Sequence, residues 1–285
     1  MNNFDYFNPT KIVFGKDTYS RISEEIKACT SDKKILVTYG GGSIKKNGVY
    51  DRVMQSLEEY EVFEFAGIEP NPEYDTLMNA VDIVKNENIS FVLAVGGGSV
   101  IDGSKFIVAA SKYDGNPWDV LSQKEGCKFT EAIPFGTVLT LPATGSEMNS
   151  GAVISRSPLK EKRTMGGAMT FPKFSFLDPT VVATLPQRQI ANGITDAFMH
   201  TLEQYLTYPT ENLLQERIAE GILSTLIEIA PKVIENPSDY KAASNLMWCA
   251  TMALNGTLRA GVAYDWATHM IGHELTALHG IDHAR

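Results

Sequence analysis

Five histidines occur in this 285-residue chain, and all lie between His200 and His283. Each stands four positions from another potential metal ligand: Asp196 with His200, His269 with His273, and His279 with His283. Four residues is just over one helical turn, so each pair can project from one helix face. A hard carboxylate combined with several imidazoles suits a divalent first-row metal, Fe2+ or Zn2+. A lone histidine on an apolar helix is ordinarily a core residue. Three spaced pairs confined to the C-terminal third, with no histidine elsewhere, argue for chemistry instead. A catalytic metal takes three or four protein ligands and keeps a position open. One or two of the histidines are then left to support ligands or handle protons.

The elements that must position this chemistry divide the chain in two. Residues 34–39 and 90–95 are short apolar runs with the character of buried strands, and each leads directly into three glycines and a serine. Between them, residues 72–88 show helical spacing, with Leu77, Ala80, Val81 and Val84 on one face. Residues 137–141 form a third expected strand, closed by Pro142 and a turn-prone Ala-Thr-Gly-Ser. Strand, helix, strand with glycines at strand ends predicts an α/β, doubly wound, mostly parallel sheet of Rossmann-like type. Ligands bind such sheets at the carboxyl ends of the strands. From about residue 185 helical periodicity takes over, over residues 194–207, 211–234, 240–258 and 266–278, punctuated by Pro186, Pro209 and Pro237. Residues 1–184 are therefore expected to form a dinucleotide-binding α/β domain. Residues 185–285 are expected to form an all-α metal-binding domain.

The glycines carry a second chemistry. Gly96, Gly97, Gly98 and Ser99 follow a strand and open a helical pattern that includes Asp102. Glycine lets backbone approach a phosphate closely, and the helix start adds unpaired N–H groups and positive dipole. The spacing is not G-x-G-x-x-G, so the usual dinucleotide fingerprint does not apply. Thr140, Thr144 and Ser146 add hydroxyls at the third strand's end. At Gly40, Gly41 and Ser43 no carboxylate is present to hold a ribose 2′-hydroxyl, and Lys45 and Lys46 follow. That turn favours the 2′-phosphate of NADP, with NAD still possible.

Bulk properties exclude other classes. A net charge of −9 and a pI near 5.1 argue against nucleic acid or anionic membrane as the main partner. No run approaches the roughly 20 apolar residues of a membrane span. The first residues lack the basic and apolar regions of a signal peptide. Cys29, Cys127 and Cys249 are odd in number and widely spaced, as expected in a reducing cytoplasm.

Taken in order, six segments resemble the iron-containing, group III alcohol dehydrogenases, near the NADP-dependent butanol dehydrogenase branch. They are Gly-Ile-Glu-Pro-Asn-Pro at 67–72, the run 96–105, Leu-Pro-Ala-Thr-Gly-Ser-Glu at 141–147, Gly-Ile-Thr-Asp-Ala-Phe-Met-His at 193–200, His-Met-Ile-Gly-His at 269–273 and His-Gly-Ile-Asp-His-Ala at 279–284. The resemblance covers essentially the whole chain. It implies metal ligation by Asp196, His200, His269 and His283, and a proton-relay role for His273. His279 is then left as a supporting or structural residue. It further implies cofactor contacts at Gly97, Gly98 and Ser99, a nicotinamide-side place for Asp102, and further contacts from Thr140, Thr144, Ser146 and Lys162. The implied function is interconversion of primary alcohols and aldehydes by hydride transfer with NADP(H) or NAD(H), aldehyde reduction with NADPH being favoured. A homodimer is expected, formed partly through an N-terminal strand within residues 4–14, a segment that reads equally well as an ordinary edge strand.

Members of that family continue well beyond the histidine equivalent to His283, so the chain is expected to be C-terminally incomplete relative to them. Apolar residues such as Trp266, Met270 and Leu278 would then be exposed. Two alternatives share the architecture. A dehydroquinate-synthase-type lyase would also use NAD and a metal, but should carry a glutamate where this chain has Asp196. A non-catalytic NADP-binding remnant would bind NADPH without taking up metal.

Overall fold

A computed structural model describes residues 1–281 of the chain. Two compact units emerge: residues 9–140 with 150–178, and residues 1–8 and 141–149 with everything from Pro179 onward.

The first unit is built on a six-stranded, wholly parallel sheet. Its strands are β1 (Lys11–Phe14), β2 (Lys34–Tyr39), β3 (Glu61–Phe65), β4 (Phe91–Gly96), β5 (Phe135–Leu139) and, after the hairpin described below, β8 (Phe174–Leu177), in the order β1-β8-β5-β4-β2-β3. Interior parallel strands are covered on both faces, which explains why β4 and β5 are buried at every residue and why β4 reads as an apolar run. The edge strands β1 and β3 are only partly buried. Phe91, Phe174 and Phe176 interlock in the core, with the Phe91 and Phe174 rings stacked 5.7 Å apart. Gly136 on β5 makes room for them: a Cβ there would lie 2.4 Å from the Phe174 ring.

Between strands run α1 (Ile22–Lys27), α2 (Ser43–Lys46), α3 (Val49–Gln55), α4 (Tyr74–Asn86), α5 (Gly98–Ala110) and α6 (Pro117–Leu121). Leu77, Ala80, Val81 and Val84 are the buried face of α4, as their spacing predicts. An antiparallel hairpin, β6 (Ala152–Arg156) with β7 (Glu161–Met165), stands apart from the main sheet. The order of pairing places the topological switch between β2 and β4, so the two glycine runs leave neighbouring strand ends. Thr140 follows β5, and its N–H bonds the Gly96 carbonyl at 3.0 Å. Three strand ends therefore line up at the position where doubly wound sheets bind their ligands.

The second unit is helical, with α7 (Gln187–Tyr205), α8 (Leu213–Glu235), α9 (Tyr240–Ala253) and α10 (Ala267–His279). Helices α7, α8 and α9 pack on one another. The spans differ from the expected ones mainly where caps decide. Helix α7 starts seven residues early because Pro186 occupies its N-cap. Helix α9 begins where the Asp239 carboxylate accepts the Lys241 and Ala242 N–H groups, at 2.9 and 3.1 Å, and it ends five residues short of residue 258. Among the described residues no helix is long and apolar enough to cross a membrane.

The N-terminal segment takes the second of its two expected forms over part of its length. Within residues 4–14 only Lys11–Phe14 is a strand, and it is an ordinary edge strand paired with β8. Pro9, two residues ahead of it, has no backbone donor. Phe4, Tyr6 and Phe7 are exposed without regular structure, in the segment that belongs to the helical unit.

Candidate metal and cofactor sites

Helix α7 presents Asp196 and His200 one turn apart, both buried. Helix α10 brings His269 to them, its side chain 10% exposed. One potential ligand atom from each of the three lies within 4.8 Å of the other two. The Asp196 Oδ1 is 3.7 Å from His200 Nδ1 and 3.5 Å from His269 Nε2. These separations exceed ordinary hydrogen bonds. They match the ~3.4 Å expected between two ligands each about 2.1 Å from a tetrahedral ion. The imidazoles of His200 and His269 lie nearly parallel with centroids 4.3 Å apart, and the Trp266 ring meets both edge-on. The arrangement fits a divalent ion: one carboxylate and two imidazoles, converging and shielded by an indole. Burial pushes the His269 imidazole pKa down, but the Asp196 and Glu203 carboxylates beside it outweigh this and hold it above the ordinary value.

His273 is buried on α10, one turn beyond His269, and outside the three-residue cluster. His279 is exposed at the end of the helix. The fourth expected ligand, His283, lies outside the described residues. Trp266 is half-buried, while Met270 and Leu278 are exposed, as are Ile271 and Leu275. Sequence reasoning missed Glu203, which stands seven residues after Asp196. Its carboxylate is buried, and it contacts His269 Nδ1 and the backbone N–H groups of Thr268 and His269. The i, i+4, i+7 spacing of Asp196, His200 and Glu203 on one helix face was the available signal.

The cofactor candidates of the α/β unit gather at the switch point. Gly97 caps α5 in extended backbone and offers no side chain, so the first N–H groups of Gly98 and Ser99 remain for a ligand. Gly42 has φ +88°, and a Cβ built at Gly41 or Gly42 would meet nothing within 4 Å. This open, positive-φ turn leads into Ser43, the first residue of α2. Ser99 Oγ accepts the Asn71 N–H at 3.3 Å, and Lys162 on β7 donates to Asn71 Oδ1 at 3.0 Å. Asn71 was assigned no role from sequence, although its φ of +60° is one that asparagine tolerates far better than most residues. Asp102 Oδ2 accepts the Val153 N–H at 2.9 Å, which fastens the β6–β7 hairpin to α5.

At the Gly40–Ser43 turn the charge picture differs from the simple basic pair. Glu64 of β3 accepts hydrogen bonds from the Tyr39 and Tyr50 hydroxyls at 2.7 and 2.9 Å, and lies 3.7 Å from Lys45 Nζ. Lys45 also sits 4.5 Å above the Tyr50 ring. A carboxylate is therefore present after all, engaged by two hydroxyls and an ammonium, and Lys45 is partly neutralised. Thr144 and Ser146 belong to the other unit, where the Ser146 N–H donates to Thr144 Oγ1 at 3.2 Å.

Comparison with known proteins agrees with this geometry. Residues 9–179 match the family model described as iron-containing alcohol dehydrogenase, and residues 190–285 match that of the Fe-containing alcohol dehydrogenase family, C-terminal. The NADPH-dependent aldehyde reductase YqhD of Escherichia coli is 55% identical, over all of this chain and 73% of that protein. NADH-dependent butanol dehydrogenase B of Clostridium acetobutylicum is 42% identical, over 99% of this chain and 72% of that protein. The crystal structure of YqhD superposes with a TM-score of 0.96 at 54% identity, covering 99% of this chain and 72% of that one. That of NADH-dependent butanol dehydrogenase A from Thermotoga maritima gives 0.95 at 44% identity, covering 100% of this chain and 71% of that one.

The fold and the carboxylate–imidazole cluster define a metal-dependent, dinucleotide-binding oxidoreductase. The chain belongs to the iron-containing alcohol dehydrogenase family.

Proposed function

We propose that this chain interconverts primary alcohols and aldehydes with NADP(H), aldehyde reduction being the favoured direction. The observation that carries the reading is the convergence of Asp196, His200 and His269 in a chain whose glycine runs meet at the switch point of a parallel sheet. When bound, the nicotinamide supplies the hydride, and a divalent iron or zinc ion polarises the substrate oxygen.

The protein's own part is to hold and orient. Asp196, His200 and His269, with His283 as the fourth ligand, hold the ion. The N-terminus of α5 and Gly97, Gly98 and Ser99 take the pyrophosphate, with Thr140, Thr144 and Ser146 as further contacts. Asp102 stands on the nicotinamide side. Lys162 adds a positive charge to the same cofactor, with Asn71 holding its ammonium. His273 relays the proton, as the imidazole is the side chain best suited to pass a proton through its two ring nitrogens.

The preference for NADP rests on Gly40, Gly41 and Ser43, where the turn carries no carboxylate of its own and Glu64 is already engaged. The named relatives include both NADPH- and NADH-dependent proteins, so the preference is tested directly. Wild type should show a higher kcat/KM with NADPH than with NADH. Gly40→Asp should lower that ratio by about tenfold or more, because its carboxylate would pair with a ribose hydroxyl and repel a phosphate. An unchanged ratio would remove this turn from cofactor selection. A homodimer in a reducing compartment completes the proposal. It is supported by the family resemblance and by three free cysteines, and sedimentation velocity would test the dimer.

A further inference from the structure

We propose that Glu203 is a positioning residue that fixes His269 as an Nε2 metal ligand and at the same time caps the helix that carries it. The inference rests on the metal-site reading above. Glu203 lies on the same face of α7 as Asp196 and His200, and its side chain is 8% exposed. Its two oxygens do different things. Oε2 meets His269 Nδ1. Oε1 accepts the backbone N–H of Thr268 at 2.6 Å and that of His269 at 3.3 Å.

The capping role follows from what α10 lacks. Its N-cap, Trp266, provides no side-chain hydrogen bond, and its first turn holds no acidic residue. Asp265 Oδ1 takes the Ala267 N–H at 2.7 Å, and Glu203 takes the next two. A carboxylate borrowed from α7 thus satisfies donors that would otherwise be orphaned at the positive end of the helix dipole.

The orienting role follows from hydrogen-bond chemistry. An ionised carboxylate only accepts, so Nδ1 must donate to it. The Nε2 lone pair is then left facing Asp196 Oδ1, 3.5 Å away, where the ion belongs. Metal-ligating histidines are commonly held in this way by a carboxylate on the other ring nitrogen.

Glutamine at this position separates this role from simple packing, because an amide cannot satisfy both sides. If its oxygen keeps the Thr268 N–H, its NH2 faces Nδ1 and drives the imidazole proton to Nε2, closing the ligand position. If it flips, its NH2 opposes the Thr268 N–H and the helix loses its cap.

The test is zinc affinity by chelator competition on the full 285-residue chain, wild type against Glu203→Gln, with far-UV circular dichroism to confirm folding. The expected result is a folded variant whose zinc affinity falls about 10- to 100-fold. Affinity within twofold of wild type would overturn the proposal. Failure of wild type itself to take up zinc would instead overturn the metal site, and this inference with it. Should Glu203→Gln not fold, 15N-histidine spectra of the zinc-loaded wild type decide the matter. Zinc on Nε2 with the proton on Nδ1 of His269 supports the assignment, and the reverse overturns it.

Discussion

Asp196, His200 and His269 carry the metal reading because their ligand atoms stand at separations that suit an ion between them better than direct hydrogen bonds. Half of this was legible in the sequence. The four-residue spacing put Asp196 and His200 on one helix face, but spacing within a helix says nothing about which other helix arrives. That His269 joins them while His279 stays exposed is a product of tertiary packing. Spacing placed Glu203 on the same helix face, but its role was not legible, since its partners lie 65 and 66 residues away. At the same scale, burial pushes the Cys249 thiol pKa up to about 11. The reactive species is the thiolate, so at neutral pH this thiol stays protonated and inert. In native protein near pH 7, iodoacetamide should alkylate Cys249 more slowly than the half-buried Cys127, by mass-spectrometric peptide counting. Its labelling should rise only as pH approaches 11 or the fold is lost. Equal rates at pH 7 would contradict the buried placement of α9.

At the scale of elements, sequence periodicity located β2, β4, β5 and α4 to within two residues, because each buries a face with a regular repeat. It placed helix ends less well, since caps depend on single residues such as Pro186 and Asp239. It also gave no sign of the β6–β7 hairpin, whose strands carry Arg156, Lys162 and Arg163 and lack a continuous apolar run. Helix α7 is constrained further by the segment 141–149, which belongs to the same unit. A Cβ at Gly193 would lie 2.4 Å from the Pro142 carbonyl oxygen, so only glycine lets helix and segment approach this closely. Gly193→Ala should therefore destabilise the protein by about 1–3 kcal/mol, the usual cost of an overpacked contact. It should also weaken NADPH binding, because Thr144 and Ser146 sit on the displaced segment. Urea unfolding and NADPH fluorescence titration would measure the two effects. An alanine variant as stable as wild type would show that the segment moves freely against α7.

At the scale of the whole chain, the fold class was legible because a parallel sheet and a helical region leave different textures. Strand order was not, since only long-range pairing decides that β2 neighbours both β3 and β4. That order is what makes the two glycine runs neighbours and gives the cofactor site a physical basis. On α10, Met270 and Leu278 are exposed, as are Ile271 and Leu275, whereas Trp266 just before the helix is half-buried. The central claim is that the Asp196, His200 and His269 cluster holds the ion on which aldehyde reduction depends. The most direct test is NADPH oxidation with butanal by purified wild type and His269→Ala, with and without ferrous or zinc ion, alongside metal content by elemental analysis. The account predicts about one ion per chain and metal-dependent turnover in wild type. The variant should lose both, while its NADPH affinity stays unchanged. Full metal content and full turnover in His269→Ala would contradict it.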